Sequence, residues 1–88
     1  FFSLWWQEAS DDSRQQLRAL LRNGQFEFVA GGWVQNDEAA PTADEVLRQL
    51  TDGHEWLQTQ VSAQLSPPRI AWQIDPFGHS SLTPALFA

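Results

Sequence analysis

The segment between Thr42 and Pro67 constrains the fold of this chain more than any other segment. Thr42, followed three residues later by Glu45, is the pattern of a capping box that begins a helix. Gly53 interrupts the helix and predicts a bend or a close contact. The apolar residues before Pro67 recur on one side, which predicts one long amphipathic helix; they are Val46, Leu47, Leu50, Leu57, Val61 and Leu65.

Two short apolar runs flank this helix. Residues 25–30 (QFEFVA) are aromatic and β-branched and precede two glycines, and residues 70–74 (IAWQI) have a similar composition. Both patterns predict strands. A strand–helix–strand unit of this length places its strands parallel through a right-handed crossover, so we expect an α/β fold.

Further helices are predicted on either side of this unit. Residues 1–7 have helical spacing, and Ser10 is expected to cap a second helix that Asn23 and Gly24 end. Thr83 and Pro84 are expected at the N-cap and first position of a last helix. The predicted order is helix, strand, helix, strand, helix start. One row of the second helix is interpreted as a solvated face: Arg14, Arg18 and Arg22.

Composition excludes several classes of function. With 11 acidic and 5 basic side chains, the net charge of -6 argues against a sequence-independent nucleic-acid binder. The absence of Cys excludes a disulfide scaffold and a thiolate zinc finger. No apolar run approaches the roughly 20 residues of a membrane span. Because residues 1–6 and 82–88 are apolar, we expect the 88-residue chain to be a piece of a larger protein, incomplete at both ends, whose remainder covers them.

Asp75 is the strongest candidate for chemistry. Ligands of open α/β sheets bind beyond the carboxyl ends of the strands, so residues 31–41 and 75–79 are expected to face the same side. Asp75 ends the second predicted strand, and Pro76 biases it toward an extended backbone. Its carboxylate could serve as a nucleophile, a general base or a metal ligand. It could equally be a turn residue bonded to its own backbone.

The neighbouring candidates each have two interpretations. His79 could share a metal with Asp75 or orient its carboxylate, or be an ordinary hydrogen-bonding residue. Asp37 and Glu38 could do acid–base work, but Asp37 is expected to cap the loop and Glu38 to be solvated. Trp33 could be a platform for a sugar ring or part of the core. Core positions are expected for the other tryptophans, which are Trp5, Trp6, Trp56 and Trp72.

Two longer motifs extend these observations. The stretches 31–39 (GGWVQNDEA) and 72–80 (WQIDPFGHS) resemble class II α-mannosidases, glycoside hydrolase family thirty-eight, and are most similar to the lysosomal branch. The resemblance implies that residues 1–88 are part of an N-terminal catalytic domain with a parallel seven-stranded β/α barrel-like fold. Gln35 stands where this family usually has Met.

The resemblance also implies an activity: a zinc-dependent retaining exo-glycosidase that removes terminal α-mannose from N-glycan oligosaccharides in the lysosome or secretory pathway. Asp75 would be the nucleophile and a zinc ligand, and Phe77 would line the sugar pocket. His79, Trp33 and Asp37 would support them from the surroundings. The remaining zinc ligands and the acid/base residue would lie outside this chain.

Two other functions remain open from the residues themselves. One is a non-catalytic carbohydrate-binding or interaction module that uses Trp33. The other is a different metal-dependent carbohydrate hydrolase or deacetylase on a related barrel.

Overall fold

The computed structural model describes residues 1–73, 78 and 80–88. Four α-helices occur within these residues, and a π-helical segment, Leu57–Val61, continues the third of them directly. The α-helices are α1 (Phe2–Glu8), α2 (Asp11–Arg22), α3 (Ala43–Trp56) and α4 (Thr83–Phe87).

Side-chain caps begin α2 and α3 where the sequence predicts them. The Ser10 hydroxyl accepts a hydrogen bond from the Ser13 amide at 3.2 Å. The Thr42 hydroxyl accepts from the Glu45 amide at 3.2 Å, and the Glu45 carboxylate accepts from the Thr42 amide at 3.3 Å, which completes the capping box. Gly24 follows α2 with a φ of +78°, the left-handed conformation expected there. The predicted starts of α2 and α3 and the predicted end of α2 are therefore confirmed. The prediction that the long helix continues to Pro67 is wrong, because the helix ends at Val61 and Ser62 takes an extended backbone.

The start of α4 differs from its prediction by one residue. Thr83 is the first helical residue, so the prediction that it is the N-cap is wrong. Leu82 takes the N-cap position, and no side-chain hydrogen bond caps the helix. Pro84 still lies within the first turn of the helix. Backbone N–H groups of the first turn have no intrahelical acceptor, so the N–H that Pro84 lacks costs no hydrogen bond.

The main difference from the prediction is at the two expected strands. Residues 25–30 and the described part of residues 70–74 contain no strand. The amides of Gln25 and Phe26 donate back to the Leu20 carbonyl at the end of α2, at 3.0 and 3.2 Å. In the described part of the chain, one backbone hydrogen bond joins the two runs, from the Ala30 amide to the Ile70 carbonyl at 2.6 Å. A single bond is not the repeated ladder that defines a strand pair.

The expected α/β class is therefore wrong for the described residues. Across residues 1–73, 78 and 80–88 the regular structure is helical, and neither the helix–strand–helix–strand order nor a parallel barrel arrangement is seen. Aromatic and β-branched composition favours a strand only where neighbouring strands supply hydrogen-bond partners and a face to pack on. Within the described chain, residues 25–30 and 70–73 have neither the hydrogen-bond partners nor the packing face of a strand.

The hydrophobic core lies where α1 and α2 meet the π-helical segment. Its buried residues, called here the Trp6 cluster, are Trp6, Leu17, Leu57 and Val61. Trp6 is only 3% exposed. The apolar side chains packed around the cluster are Phe2, Leu21, Phe28, Trp56 and Leu65.

The side chains of two arginines of α2 pack against this cluster. The guanidinium carbons of Arg14 and Arg18 each lie 5.1 Å from the centroid of the Trp6 ring. Arg14 also donates to the Trp6 carbonyl at 2.9 and 2.6 Å, and Arg18 donates to the Val61 carbonyl at 2.7 Å. The interpretation of this row as a solvated face is therefore wrong for Arg14 and Arg18, whereas Arg22 is exposed as expected.

The tryptophans predicted to be core divide into two groups. Trp6 is buried and Trp56 is half-buried against the cluster, which confirms the prediction for both. Trp5 is 46% exposed and Trp72 is 55% exposed, so the prediction is wrong for these two.

Candidate functional site

The 31–41 loop lies directly on α3 at Gly53. A Cβ atom at Gly53 would overlap the Gly31 carbonyl oxygen and the Gly32 carbonyl carbon, and would lie 2.5 Å from the Trp33 amide nitrogen. Only a residue without a side chain allows the loop backbone to come this close to the helix. The close contact predicted at Gly53 is confirmed.

Gln49, one turn before Gly53, holds the next part of the loop with both its side chain and its backbone. Its side-chain oxygen accepts from the Val34 amide at 3.1 Å, and its side-chain nitrogen donates to the Asn36 side-chain oxygen at 3.1 Å. Its backbone carbonyl accepts from the Trp33 amide at 2.9 Å. One residue of α3 therefore orders residues 33–36.

The same loop bonds to Trp72 and Gln73, which precede residues 74–77, and lies near Gly78, which follows them. The Gln35 side chain donates to the Trp72 carbonyl at 2.8 Å, and the Gln73 side chain donates to the Asn36 carbonyl at 3.5 Å. A Cβ atom at Gly78 would lie 3.7 Å from the Ala39 Cβ, which is ordinary van der Waals contact. The described ends of the 72–80 motif therefore lie beside the 31–39 motif.

Asp37 behaves as the loop-capping residue that the sequence predicts. Its Oδ2 accepts from the Ala40 amide at 3.0 Å, and its carbonyl accepts from the Asn36 side chain at 2.9 Å. Its Oδ1 is buried and has no hydrogen-bond partner within the described residues. Glu38 is half-buried, so the expectation of a solvated Glu38 is wrong.

Trp33 lies at the edge of this loop, between core and solvent. Its ring is 52% exposed and meets the Trp56 ring edge to face, with centroids 6.0 Å apart. One part of the indole therefore packs on α3, and the other part is open to solvent.

The other site residues named from the sequence lie outside the described residues; they are Asp75, Phe77 and His79. Their assigned roles stay predictions.

Sequence reasoning missed the side-chain amides that hold the loop on α3 and join it to the second motif, which are Gln49, Gln35 and Gln73. Gln49 shares the face of α3 that carries Val46, Leu50 and Gly53, all of which are buried. Gln49 is half-buried, and a polar side chain in that position requires hydrogen-bond partners. The signal available in the sequence was a Gln on the apolar face of a predicted helix. Gln35 and Gln73 carry no comparable signal, because exposed and half-exposed glutamines are common in any loop.

A complete metal site does not form within residues 1–73, 78 and 80–88, where no three His, Asp or Glu side chains are grouped to hold an ion. Within the same residues, no helix combines the length and the apolar character needed to cross a membrane.

Comparison with known proteins identifies the class to which these motifs belong. A family model described as "Glycosyl hydrolases family 38 N-terminal domain" matches residues 1–88, the whole chain. The chain therefore belongs to glycosyl hydrolase family 38.

Individual relatives include proteins named as α-mannosidases. The chain is 47% identical over 88 residues to "Alpha-mannosidase D" of Dictyostelium discoideum, covering 100% of the chain and 7% of that relative. It is 46% identical over 88 residues to the "Lysosomal alpha-mannosidase" of Mus musculus, covering 100% of the chain and 9% of that relative. It is also 46% identical over 89 residues to the "Epididymis-specific alpha-mannosidase" of Homo sapiens, covering 100% of the chain and 8% of that relative. The chain thus spans less than a tenth of the length of these curated relatives.

Proposed function

We propose that this chain is part of the N-terminal catalytic domain of an exo-α-mannosidase that releases terminal α-linked mannose from N-glycan oligosaccharides with retention of configuration. The observation that carries the proposal is the family match over all of residues 1–88, which include both motifs. The loop contacts add support, because Gln35 and Asn36 are hydrogen-bonded to Trp72 and Gln73, directly before residues 74–77.

Asp75 is the proposed nucleophile. One of its carboxylate oxygens forms a bond to the anomeric carbon of mannose as the bond from that carbon to the glycosidic oxygen breaks. A carboxylic acid outside this chain gives its proton to the leaving oxygen. That same group then takes a proton from water, whose oxygen attacks the anomeric carbon and releases the Asp75 carboxylate. Two displacements at one carbon give net retention.

Asp75 is also the proposed ligand of this chain for zinc. A carboxylate oxygen suits Zn²⁺, and since the described residues hold no group of three ligands, the remaining ligands are proposed to come from the rest of the polypeptide. When bound, zinc would orient the sugar and stabilise charge that develops on its oxygens.

The other named residues have supporting roles in this proposal. Phe77 lines the sugar pocket, and His79 supports Asp75 through hydrogen bonding. Trp33 offers the exposed part of its ring to the substrate, and Asp37 keeps the loop closed through its bond to the Ala40 amide. Relatives named lysosomal support a location in the lysosome or secretory pathway.

The test is Asp75→Asn in the full polypeptide that contains this chain, assayed on an aryl α-mannoside. We expect turnover to fall by roughly a thousandfold or more, with cooperative thermal unfolding retained, because the amide is a poor nucleophile. Asp52→Asn is the matched control, since Asp52 is an exposed carboxylate of α3. Near-normal turnover of the Asp75 variant would overturn the assignment.

The same assay distinguishes the alternatives. A chelator that abolishes hydrolysis of the aryl α-mannoside supports the zinc proposal, whereas an active metal-dependent deacetylase would not hydrolyse this substrate. The exposed part of Trp33 also favours, as a second candidate, carbohydrate binding without catalysis. For that candidate, calorimetry should detect mannose binding by the wild-type chain and its loss in Trp33→Ala, without mannosidase activity.

A further inference from the structure

We propose that Asn23, the residue that ends α2, is a site of spontaneous deamidation, in which its side-chain amide is converted to a carboxylate with water as the co-reactant. This modification does not depend on the proposed mannosidase activity. The chain has two asparagines, Asn23 and Asn36, which differ in the residue that follows them and in how their side chains are held. They therefore provide a comparison within one molecule.

The reaction begins with attack of a backbone amide on the side chain before it. The Gly24 nitrogen loses its proton and bonds to Cγ of Asn23, while the bond from Cγ to Nδ2 breaks and Nδ2 leaves as ammonia with a proton. Water then opens the resulting five-membered imide ring. Addition of water at Cγ gives aspartate, and addition at the backbone carbonyl carbon gives isoaspartate, in which the backbone runs through the former side chain.

Gly24 gives the attacking nitrogen unusual freedom. Its φ is +78°, and apart from its neighbours in the chain nothing lies within 4 Å of the place that a Cβ atom would take. A residue without a side chain neither blocks the attack nor restricts the backbone rotation that the attack requires. The Gly24 amide donates to the Leu21 carbonyl at 3.4 Å, longer than a typical hydrogen bond. The attacking nitrogen is therefore loosely held.

The Asn23 side chain is exposed and its carbonyl is polarised. The Gln25 amide donates to Oδ1 of Asn23 at 3.1 Å. Attack on Cγ places negative charge on this oxygen, and a donor directed at the oxygen stabilises that charge. The leaving nitrogen of Asn23 makes no hydrogen bond within the described residues, so its departure breaks none.

The comparable positions elsewhere in the chain are held more firmly. Asn36 is half-buried, its side-chain nitrogen donates to the Asp37 carbonyl at 2.9 Å, and its side-chain oxygen accepts from Gln49 at 3.1 Å. Asp52 also precedes a glycine and could form the same ring, but Gly53 is buried inside α3. Both positions should therefore stay unmodified while Asn23 reacts.

The modification should loosen the end of α2. The amides of Gln25 and Phe26 both donate to the Leu20 carbonyl, at 3.0 and 3.2 Å. Isoaspartate adds one carbon to the backbone directly before Gly24, which shifts these amides away from their acceptor. Both products also place a negative charge at the C-terminus of a helix, where the helix dipole disfavours anions.

The experiment incubates the full polypeptide that contains this chain in mildly alkaline buffer and follows it by peptide mapping with mass spectrometry. The peptide with Asn23 should gain about 1 Da, the difference between an acid and an amide, and should separate into aspartate and isoaspartate forms. The peptide with Asn36 should keep its mass. The rate at Asn23 should lie within about tenfold of that in a free peptide with the sequence of residues 20–28, because helix ends fray readily.

Two variants serve as controls. Asn23→Gln keeps the amide, but its longer side chain would have to form a six-membered ring, so its mass should not change. Gly24→Ala should slow the gain by about tenfold or more, because the added methyl hinders the attack. An unmodified Asn23, under conditions that deamidate the free peptide, overturns the proposal. Equal modification of Asn36 also overturns it.

Hydrogen exchange tests the effect on α2. The amides of residues 25 and 26 should exchange faster in incubated wild type than in fresh wild type, whereas incubation should not change their exchange in Asn23→Gln. Unchanged exchange in deamidated protein overturns the loosening of the helix end.

Discussion

The Trp6 cluster and the 31–41 loop are held by the same continuous helical segment, but by different interactions. Leu57 and Val61, in the π-helical continuation of α3, are buried in the cluster. Gln49 and Gly53, within α3 itself, hold the loop through hydrogen bonds and direct backbone contact. The cluster is apolar and buried, whereas the loop is held by polar contacts and is only partly buried.

This difference indicates how the chain separates global stability from local geometry. Burial of large apolar side chains contributes most of the folding free energy, and truncating one costs several kcal/mol. Hydrogen bonds near the surface contribute about 1 kcal/mol each, but they define geometry. Changes in the cluster should therefore lower global stability, and changes in the loop should act locally.

The largest effect is expected for Trp6→Ala. This variant removes a buried ring that also meets two guanidinium groups, so urea unfolding should show a loss of about 3–5 kcal/mol. Trp5→Ala is the control, because Trp5 is adjacent but nearly half exposed, and it should cost about 1 kcal/mol or less. Equal losses at both positions would contradict the assignment of the core to Trp6.

The contact between helix and loop is tested next by Gly53→Ala. In an ordinary helix interior, Ala is more stable than Gly by roughly 1 kcal/mol. Here the added methyl meets loop backbone, and we expect a net loss of about 1–3 kcal/mol in urea unfolding. Asp52→Ala, on the exposed face of the same helix, should stay within about 0.5 kcal/mol of wild type. A more stable Gly53→Ala protein would show that the loop does not dock there.

Gln49→Leu separates local order from global stability. It leaves the Val34 amide and the Asn36 side-chain oxygen without their partner, which should cost about 1–2 kcal/mol. Hydrogen exchange of residues 33–36 should accelerate more than exchange within α2. Gln60→Leu is the control, since Gln60 is exposed and its side chain makes no hydrogen bond within the described residues. Acceleration spread evenly over the protein would contradict a local role.

The smallest effect is expected at the start of α3. Thr42→Ala removes the hydroxyl that caps the helix and should cost about 1 kcal/mol in urea unfolding. Thr51→Ala, inside the same helix, should be neutral or slightly stabilising, because Ala has the higher helix propensity. If both variants behave alike, the cap does not stabilise the helix.

The starts of α2 and α3 and the end of α2 could be predicted well because their causes are local. Ser10, Thr42 and Glu45 act on amides three residues away, and Gly24 ends its helix through its own backbone conformation. The Gly53 contact could also be predicted, since a glycine inside an amphipathic pattern signals close approach. Family membership followed from two motifs and is confirmed by the match over residues 1–88.

Strands and the environment of the arginines could not be predicted in the same way. Whether residues 25–30 form a strand depends on partners far along the chain, and two of their amides bond to Leu20 instead. Arg14 and Arg18 recur at the spacing of a solvated face, but the position of α1 places the Trp6 ring beneath them. Both errors arise because composition describes a preference, and contacts distant in sequence decide which preference is realised.

The sequence by itself determined the caps, the amphipathic helix and the motif that carries Asp75, because each depends on residues within a few positions of one another. Only the tertiary structure decided that Gln35 meets Trp72, 37 positions away, and that Gln49 orders residues 33–36. Hydrogen bonds from side-chain amides to distant loop residues leave no periodic pattern in a sequence. They form where the packing of α3 against the loop brings donor and acceptor within reach.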